Sequence, residues 1–556
     1  MNRFRVFPIL LVMAVISAVL FFQSCKKTET TEQPVYLTVS LPTLTMQNEL
    51  YYPLNSSARS VEMEFSEPLD SATVAGNISF SDKNGLLDTV YTLIAMDRKI
   101  VMLFKPGFSL RQGWRYLLTC RSGLTSVYGK KFASSFILEL RTNAFNVGSV
   151  TGLGAGSGTR NSIMCISDVH MGEYRAVNGK YCWFSKNEAA LADLLDNVIT
   201  GTQVRQLVIL GDLFDEWVIP YRTSPFDASA GISDSRGYFL SVASSPVNSP
   251  VISRLKAIAS GENTQLVYVP GNHDMLLTQS ILEEIIPGVI WQGNIPGLGN
   301  YSPVEEITME HGHRLDFFNC PQPLVNSGHM LPPGFFISRL QAAGLQEHQG
   351  QFLKAGNESG GAVQFTLAWI LAFEYVRAQF AMNVHPDSVN IRMDGIDGYS
   401  SPYSFNGVRD MYASKIEDQW NATQAQNAVP VQMPVIMAIL DGNTDMYFAA
   451  SYEYMSSVAP KKYKMAVFGH THNPELKVYP SGKKLQGIYA NSGSWVNEEL
   501  CEKKVRTYLM IWPGQWTGSD LDIVSLYQYN LNSGGGNPNP GYVPVLLSEE
   551  SIYIGN

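Results

Sequence analysis

The segment Ile163-Met-Cys-Ile-Ser-Asp168-Val-His170 decides the fold. Its apolar run reads as a short buried strand that ends on an aspartate and a histidine one residue apart. The pattern then recurs. Gln206 to Leu210 is a second strand, followed by Gly211-Asp-Leu-Phe-Asp215, and Gln265 to Val269 is a third, followed by Gly271-Asn-His-Asp274. Helical stretches lie between them: Glu188 to Val198, with apolar spacing at Leu191, Leu194 and Leu195, and Ile252 to Ile258. Strand–helix–strand alternation predicts an α/β layered domain with functional loops at the strand carboxyl ends.

This domain is expected over 161–531. Residues 321–460 interrupt its rhythm with loops rich in Asn, Gly and Pro and a mostly apolar helix, Phe365 to Phe380, and read as an inserted cap. The strand pattern resumes at Met465 to Phe468 and continues through Gly487-Ile-Tyr-Ala490 and Tyr508 to Trp512. The stretch from Ser533 to Gly541 reads as a loop or tail, so 532–556 is assigned as a C-terminal tail.

Outward in the other direction, 36–143 reads as short β-strands. Val61, Met63 and Phe65 alternate with Glu62 and Glu64, the two-residue period of a half-buried strand. Asp82-Lys-Asn-Gly85 between two strands is a hairpin turn, because Asn and Gly tolerate positive φ. The region contains no histidine, which suits a spacer or docking module. Gly152-Leu-Gly-Ala-Gly-Ser-Gly158 precedes a strand, whereas a phosphate-cradling loop follows one, so 144–160 reads as a flexible linker.

The first 25 residues have a different character. Arg3 and Arg5 precede an uncharged, mostly apolar run from Phe7 to Phe22, and Ser24-Cys25 follows, then Lys26, Lys27 and a polar stretch to residue 35. This is the order of a secretory signal. The run of 16 residues falls short of the ~20 needed to span a bilayer.

With 556 residues, two or three domains are expected. Hydrophobic residues make up 45% and charged residues 16%, a globular mixture. The net charge of −9 argues against a nucleic-acid binder, which needs clustered Lys and Arg. The six cysteines (25, 120, 165, 182, 320 and 501) form no CxxC pair, which disfavours a zinc ribbon or redox dithiol.

Five clusters therefore stand at strand ends: the three above, His311-Gly-His313 and Gly469-His-Thr-His472. They hold six of the nine histidines. Carboxylate, imidazole and amide oxygen bind hard and borderline divalent ions without thiolate. Two ions ~3.5–4 Å apart need a bridging carboxylate, and Asp212 is positioned for that role. Asp215 and His313 are suited to holding loops or to orienting metal ligands. Cys165 reads as a small buried hydrophobe. Cys320, His329, His348 and His385 are read as structural, with lining of a substrate pocket as the alternative.

In this ordered set the chain resembles the calcineurin-like metallophosphoesterases. The resemblance implies a layered β-sandwich flanked by helices and two divalent ions (Mn, Fe or Zn) that share a bridging hydroxide. Asp168, His170, Asp212 and His472 would hold the first ion, and Asp212, Asn272, His311 and His470 the second. His273 would be the non-ligand acid and Asp274 its orienting partner. Gly211-Asp-Leu-Phe-Asp-Glu-Trp217, His311-Gly-His-Arg-Leu-Asp316 and Asn491-Ser-Gly-Ser-Trp495 resemble the branch of UDP-2,3-diacylglucosamine diphosphatases. Phe65-Ser-Glu-Pro-Leu-Asp70 and Gly113-Trp-Arg-Tyr116 resemble bacterial Ig-like domains, and Ser24-Cys25 a bacterial lipoprotein signal with acylation at Cys25. The resulting expectation is an exported, lipid-anchored hydrolase of the bacterial cell envelope. Its substrate would be a phosphorylated small molecule or lipid derivative, with no nucleic-acid partner. The alternative is a catalytically silent binding or scaffold lipoprotein.

Overall fold

A computed structural model describes residues 36–143, 160–322, 331–350, 365–396, 402–413, 416–435, 446–481, 484–532 and 541–555, with isolated positions 324, 399, 437 and 438. The Cys25 segment, nearly all of the Gly-rich linker and His329 lie outside the described residues. No helix among the described residues is long and apolar enough to cross a membrane.

Residues 39–142 form two sheets around one apolar core. One sheet has the order Val39–Ser40, Ser60–Phe65, Lys99–Phe104, Tyr91–Met96. The other runs Tyr52–Leu54, Phe136–Thr142, Arg115–Cys120, Ile78–Asp82, Gly85–Leu86. Val61, Met63 and Phe65 are buried while Glu62 and Glu64 are half-exposed, as a two-residue period requires. They meet Phe80, Tyr116, Leu118 and Leu140 of the opposite sheet. Asp82 pairs with Gly85 across the turn, where Gly85 has φ 126°.

The second domain is two facing sheets with helices outside. Its seven-stranded sheet runs Ile290–Trp291, Gln265–Val269, Val204–Leu210, Ser162–Ile166, Thr507–Trp512, Leu521–Leu531, Tyr542–Tyr553. The first four strands are parallel and the rest antiparallel. The facing sheet runs Tyr301–Val304, Ile307–Met309, Met465–Phe468, Lys484–Asn491, Glu475–Ser481. Alternation sorts each strand between two cores. Ile163 and Cys165 point between the sheets with Val208, Val267, Met309 and Val467. Met164 and Ile166 point outward to the helices Glu188–Thr200 and Ser249–Ser260. Burial on both faces explains the unbroken apolar run of the first strand. Cys165 is fully buried between the sheets.

One expectation is revised. The last residues are not a tail: Tyr542–Tyr553 is a 12-residue strand paired along the whole of Leu521–Leu531. The Gly-, Asn- and Pro-rich stretch before it concealed the hairpin, since only 533–540 lies outside the described residues. This hairpin also carries the N-terminal sandwich. The Arg141 guanidinium donates to Ser551 and lies 4.0 Å over the Tyr51 ring, and Gln47 donates to Glu550 at 3.0 Å.

The described residues of the insertion pack into the outer core. Phe335 and Phe336 from helix Pro333–Glu347, Trp369 from Phe365–Gln379, Tyr412 and Trp420 share the core of the outer helices. Fully buried Arg339 fastens it. Its guanidinium donates to the carbonyls of Ile219 (2.5 Å), Pro220 (3.2 Å), Thr223 (2.6 Å) and Arg392 (3.1 Å). His348 packs on the Phe380 ring, and exposed His385 caps the short helix Pro386–Ser388.

Because Arg339→Met keeps an apolar stem but strands four carbonyls, two of them fully buried, it is expected to lower stability by about 2–4 kcal/mol. Urea denaturation followed by tryptophan fluorescence measures this, and a loss below about 1 kcal/mol would contradict the role given to Arg339.

Candidate metal centre

Parallel neighbours end on the same edge of their sheet, so the loops after Ser162–Ile166, Val204–Leu210 and Gln265–Val269 stand side by side. The loops after Ile307–Met309 and Met465–Phe468, from the facing sheet, meet them there. The loops lock together through backbone bonds. The Val169 and His170 N–H groups donate to the Asp212 carbonyl (2.8 and 2.9 Å), and Trp495 N–H donates to the Asp168 carbonyl (3.0 Å). Asp168, His170, Asp212, His470 and His472 all have φ between 52° and 71°. Left-handed backbone is unfavourable for such residues, and its concentration here marks a functional site. A Cβ at Gly271 would overlap the Asp212 carboxylate, so only glycine permits the approach of these two loops.

Asp168, Asp212, Asp215 and Asp274 are at most 2% exposed. Among the described residues, no lysine or arginine pairs with any of them. Imidazoles do. His472 Nε2 lies 3.3 Å from Asp168 Oδ1. Asp212 Oδ2 lies 3.2 Å from His311 Nε2 and 3.7 Å from His170 Nε2, between the two rings. Among the described residues three donor groups result, Asp168–His170–His472, Asp168–Asp212–His311 and His170–Asp215–His273.

The hydrogen bonds on the far side of each ring set what the near side can do. His311 Nδ1 donates to the Leu210 carbonyl at 2.6 Å, which turns Nε2 towards Asn272 Oδ1 (3.0 Å) and Asp212. His170 Nδ1 bonds Asp215 at 3.0 Å, which turns its Nε2 towards His472 Nε2, also at 3.0 Å. Acceptors thus converge on acceptors. Such an arrangement needs a proton or a cation at its centre, and outer hydrogen bonds of this kind hold imidazoles as metal ligands. The donor set of carboxylate, imidazole and amide oxygen fits divalent cations.

The electrostatics agree. Burial opposes ionisation of Asp212, yet His311, His273 and His170 hold its carboxyl well below the usual range. Burial likewise opposes charge on His311, but Asp212 and Asp168 raise it to about 9. A proton there does what a cation would do.

His470 is placed differently from the other ligands assigned by resemblance. Its N–H donates to Asp168 Oδ2 (3.0 Å) and its Nε2 bonds Asp316 Oδ2 (3.0 Å), which leaves Nδ1 as the nitrogen available to a cation. His313 lies behind the centre, with Nε2 donating to the Gly297 carbonyl at 2.9 Å.

The partner of His273 is a correction. Asp274 does not touch its ring: Oδ1 accepts from Gly271 N–H (2.8 Å), and Oδ2 accepts from Leu213 N–H (3.1 Å) and the Tyr268 hydroxyl. Oδ1 closes its own turn and Oδ2 ties that turn to the Leu213 loop and to Tyr268, so both oxygens are occupied. Burial and nearby Asp212 push its carboxyl up to about 7. Asp215 takes the role instead, with Oδ1 at 3.0 Å from His273 Nδ1 and Oδ2 on His170. Burial works against charge on His273, but Asp215 and then Asp212 raise its pKa. The imidazole stacks on Trp217 at 4.5 Å and 27°.

Three residues escaped the sequence reading. Asp316 lay within a quoted motif but received no role. Half-buried Trp183 has its ring within 6.0 Å of His170, His273 and His472. The Cys501 thiol lies beside His472, whose charge works against burial and lowers the thiol pKa. Neither Trp183 nor Cys501 belongs to a strand-end cluster, and no local pattern marks them.

The family model described as calcineurin-like phosphoesterase matches residues 162–349. The match covers four of the five clusters and stops before Gly469-His-Thr-His472, which the fold carries back to the other four. No curated protein matches the chain. Among solved structures, the N-terminal part of the bacterial S-layer protein SbsC is 19% identical over 19% of this chain and 24% of its own, with a TM-score of 0.14. CopC from Methylosinus trichosporium OB3b is 16% identical over 20% of this chain and 95% of its own, with a TM-score of 0.15. Native alpha-2-macroglobulin of Escherichia coli is 14% identical over 24% of this chain and 7% of its own, with a TM-score of 0.15. At these TM-scores the structural likenesses carry no argument. What stands is that the chain contains, at residues 162–349, a calcineurin-like phosphoesterase domain.

Proposed function

We propose that this chain is a metal-dependent phosphoester hydrolase with a dinuclear centre, exported and tethered by a lipid on Cys25. The observation that supports it most is the facing of ring nitrogens and carboxylate oxygens around Asp212, with His273 beside them and held by a different carboxylate. Asp168, His170, Asp212 and His472 would hold one ion. Asp212, Asn272, His311 and His470, through Nδ1, would hold the other. Bound there, two divalent ions acidify water and neutralise charge on the phosphoryl oxygens.

The protein's own contribution is positioning and proton transfer. Asp215 aims two imidazoles at once, His170 towards the cations and His273 towards the leaving oxygen. Because Asp215 bonds His273 Nδ1, the proton to be given lies on Nε2. Trp217 fixes the plane of the ring, and burial keeps competing water away. The proposed substrate is a phosphorylated small molecule or lipid derivative. The long helical insertion packed against the Trp217 loop sets this chain's leaving-group side apart.

Phosphomonoesters, phosphodiesters or nucleotides should be hydrolysed with Mn²⁺, and exhaustive chelation should abolish turnover. His273→Ala should retain metal but slow esters with poor leaving groups by ~10²–10⁴-fold, with aryl esters far less affected. The check is the dependence of rate on leaving-group pKa; equal slopes in mutant and wild type would remove His273 as the proton donor. Export is tested separately. Replacing Cys25 by Ala should release the protein from the membrane fraction, since lipid chains supply the anchoring. Unchanged retention would contradict lipidation.

A further inference from the structure

The loop Tyr181–Lys186 follows the first strand cluster and takes no part in metal ligation. It is nevertheless fastened tightly to the opposite side of the site. Asn497 N–H donates to the Trp183 carbonyl at 2.8 Å. Asn497 Oδ1 accepts from the N–H groups of Ser185 and Lys186 at 3.0 and 2.9 Å, and its Nδ2 donates to Ser185 Oγ at 3.0 Å. One asparagine side chain thus clamps the loop at three points. Buried Phe184 and Cys182 on either side pin it further.

The residue this clamp presents is Trp183. Its ring centroid lies 5.1 Å from His170, 5.8 Å from His273 and 6.0 Å from His472, side chains that come from three different strand ends. The indole is half-buried, whereas Trp217 on His273 is fully buried. Trp217 therefore supports the proton donor from within, and Trp183 borders it while only half-buried. His472 is the most exposed of the three histidines, with 19% of its side chain accessible, so the opening lies on this side.

From this juxtaposition we infer that Trp183 is a specificity-determining residue that stacks on a flat aromatic ring in the leaving group of the substrate. The inference rests on the phosphoesterase reading above and names the class of alcohol released. The leaving oxygen must come within hydrogen-bond reach of His273. The group attached to it then runs alongside an indole 5.8 Å from that imidazole. A rigid indole gains most from an offset stacked ring and much less from a flexible chain that must be ordered. Aryl alcohols and nucleosides share this chemistry.

The test compares phenyl phosphate, adenosine 5′-monophosphate and n-hexyl phosphate on Mn²⁺-loaded wild type, Trp183→Leu and Trp183→Phe. In Trp183→Leu, kcat/KM for phenyl phosphate relative to hexyl phosphate should fall about tenfold, within the range of aromatic stacking, and Trp183→Phe should restore most of it. A fall shared by the nucleotide extends the class to nucleosides, and a fall confined to phenyl phosphate limits it to aryl alcohols. An unchanged ratio would overturn the proposal, because Trp183 would then be packing alone. So would a rise in the ratio, since a residue acting through His273 must harm the poorer leaving group more. Absence of turnover in wild type would count against the phosphoesterase reading instead. Calorimetric titration with phenylphosphonate and hexylphosphonate, which bind without reacting, still decides the stacking. A ring preference lost in Trp183→Leu supports it, and equal affinities in wild type overturn it.

Discussion

Two carboxylates buried side by side, Asp168 and Asp212, are the constraint to which the rest of this site answers. They are 0% and 1% exposed, repel one another, and find no lysine or arginine among the described residues. An ionised carboxylate removed from water without a partner is destabilised by several kcal/mol. The fold meets that penalty with imidazoles, and outer hydrogen bonds hold His170 and His311 with Nε2 facing inward. Five residues in left-handed backbone, each unfavourable by about 1–3 kcal/mol, add to the strain gathered there. Divalent cations held there would remove the repulsion and satisfy the converging lone pairs together.

The scaffold makes this possible through its two cores. Alternate residues of each central strand pack between the sheets or under the helices, so the strand ends are fixed from both faces. The described residues of the insertion join the outer core, and Arg339 ties them to the loop that follows Trp217. Trp217 and His273 are thereby supported from the insertion side, while Trp183 is supported from the Asn497 side.

Much of this was legible in the sequence. Strand-end Asp, His and Asn residues beside glycines carry their own signature, because close backbone approach and ligation impose both residue types locally. Residues 162–166 and 265–269 could be read as strands for the same reason: burial on both faces leaves an unbroken apolar run. Pairings that depend on side-chain direction were not legible. Asp274 is adjacent in sequence to His273 but spends its oxygens on Gly271, Leu213 and Tyr268, whereas Asp215, 58 positions away, faces it. Tyr542–Tyr553 was hidden behind a Gly- and Pro-rich stretch. Trp183 and Cys501 reach the site only through long-range packing, for which a single sequence holds no periodic signal.

The most direct test of the central claim is a crystal structure of the Mn²⁺-loaded protein, with anomalous scattering recorded at the manganese edge. Two peaks are expected ~3.5–4 Å apart with the Asp212 carboxylate between them, one beside His170 and His472 and the other beside Asn272 and His311. A single peak, or peaks away from Asp212, would contradict the dinuclear account.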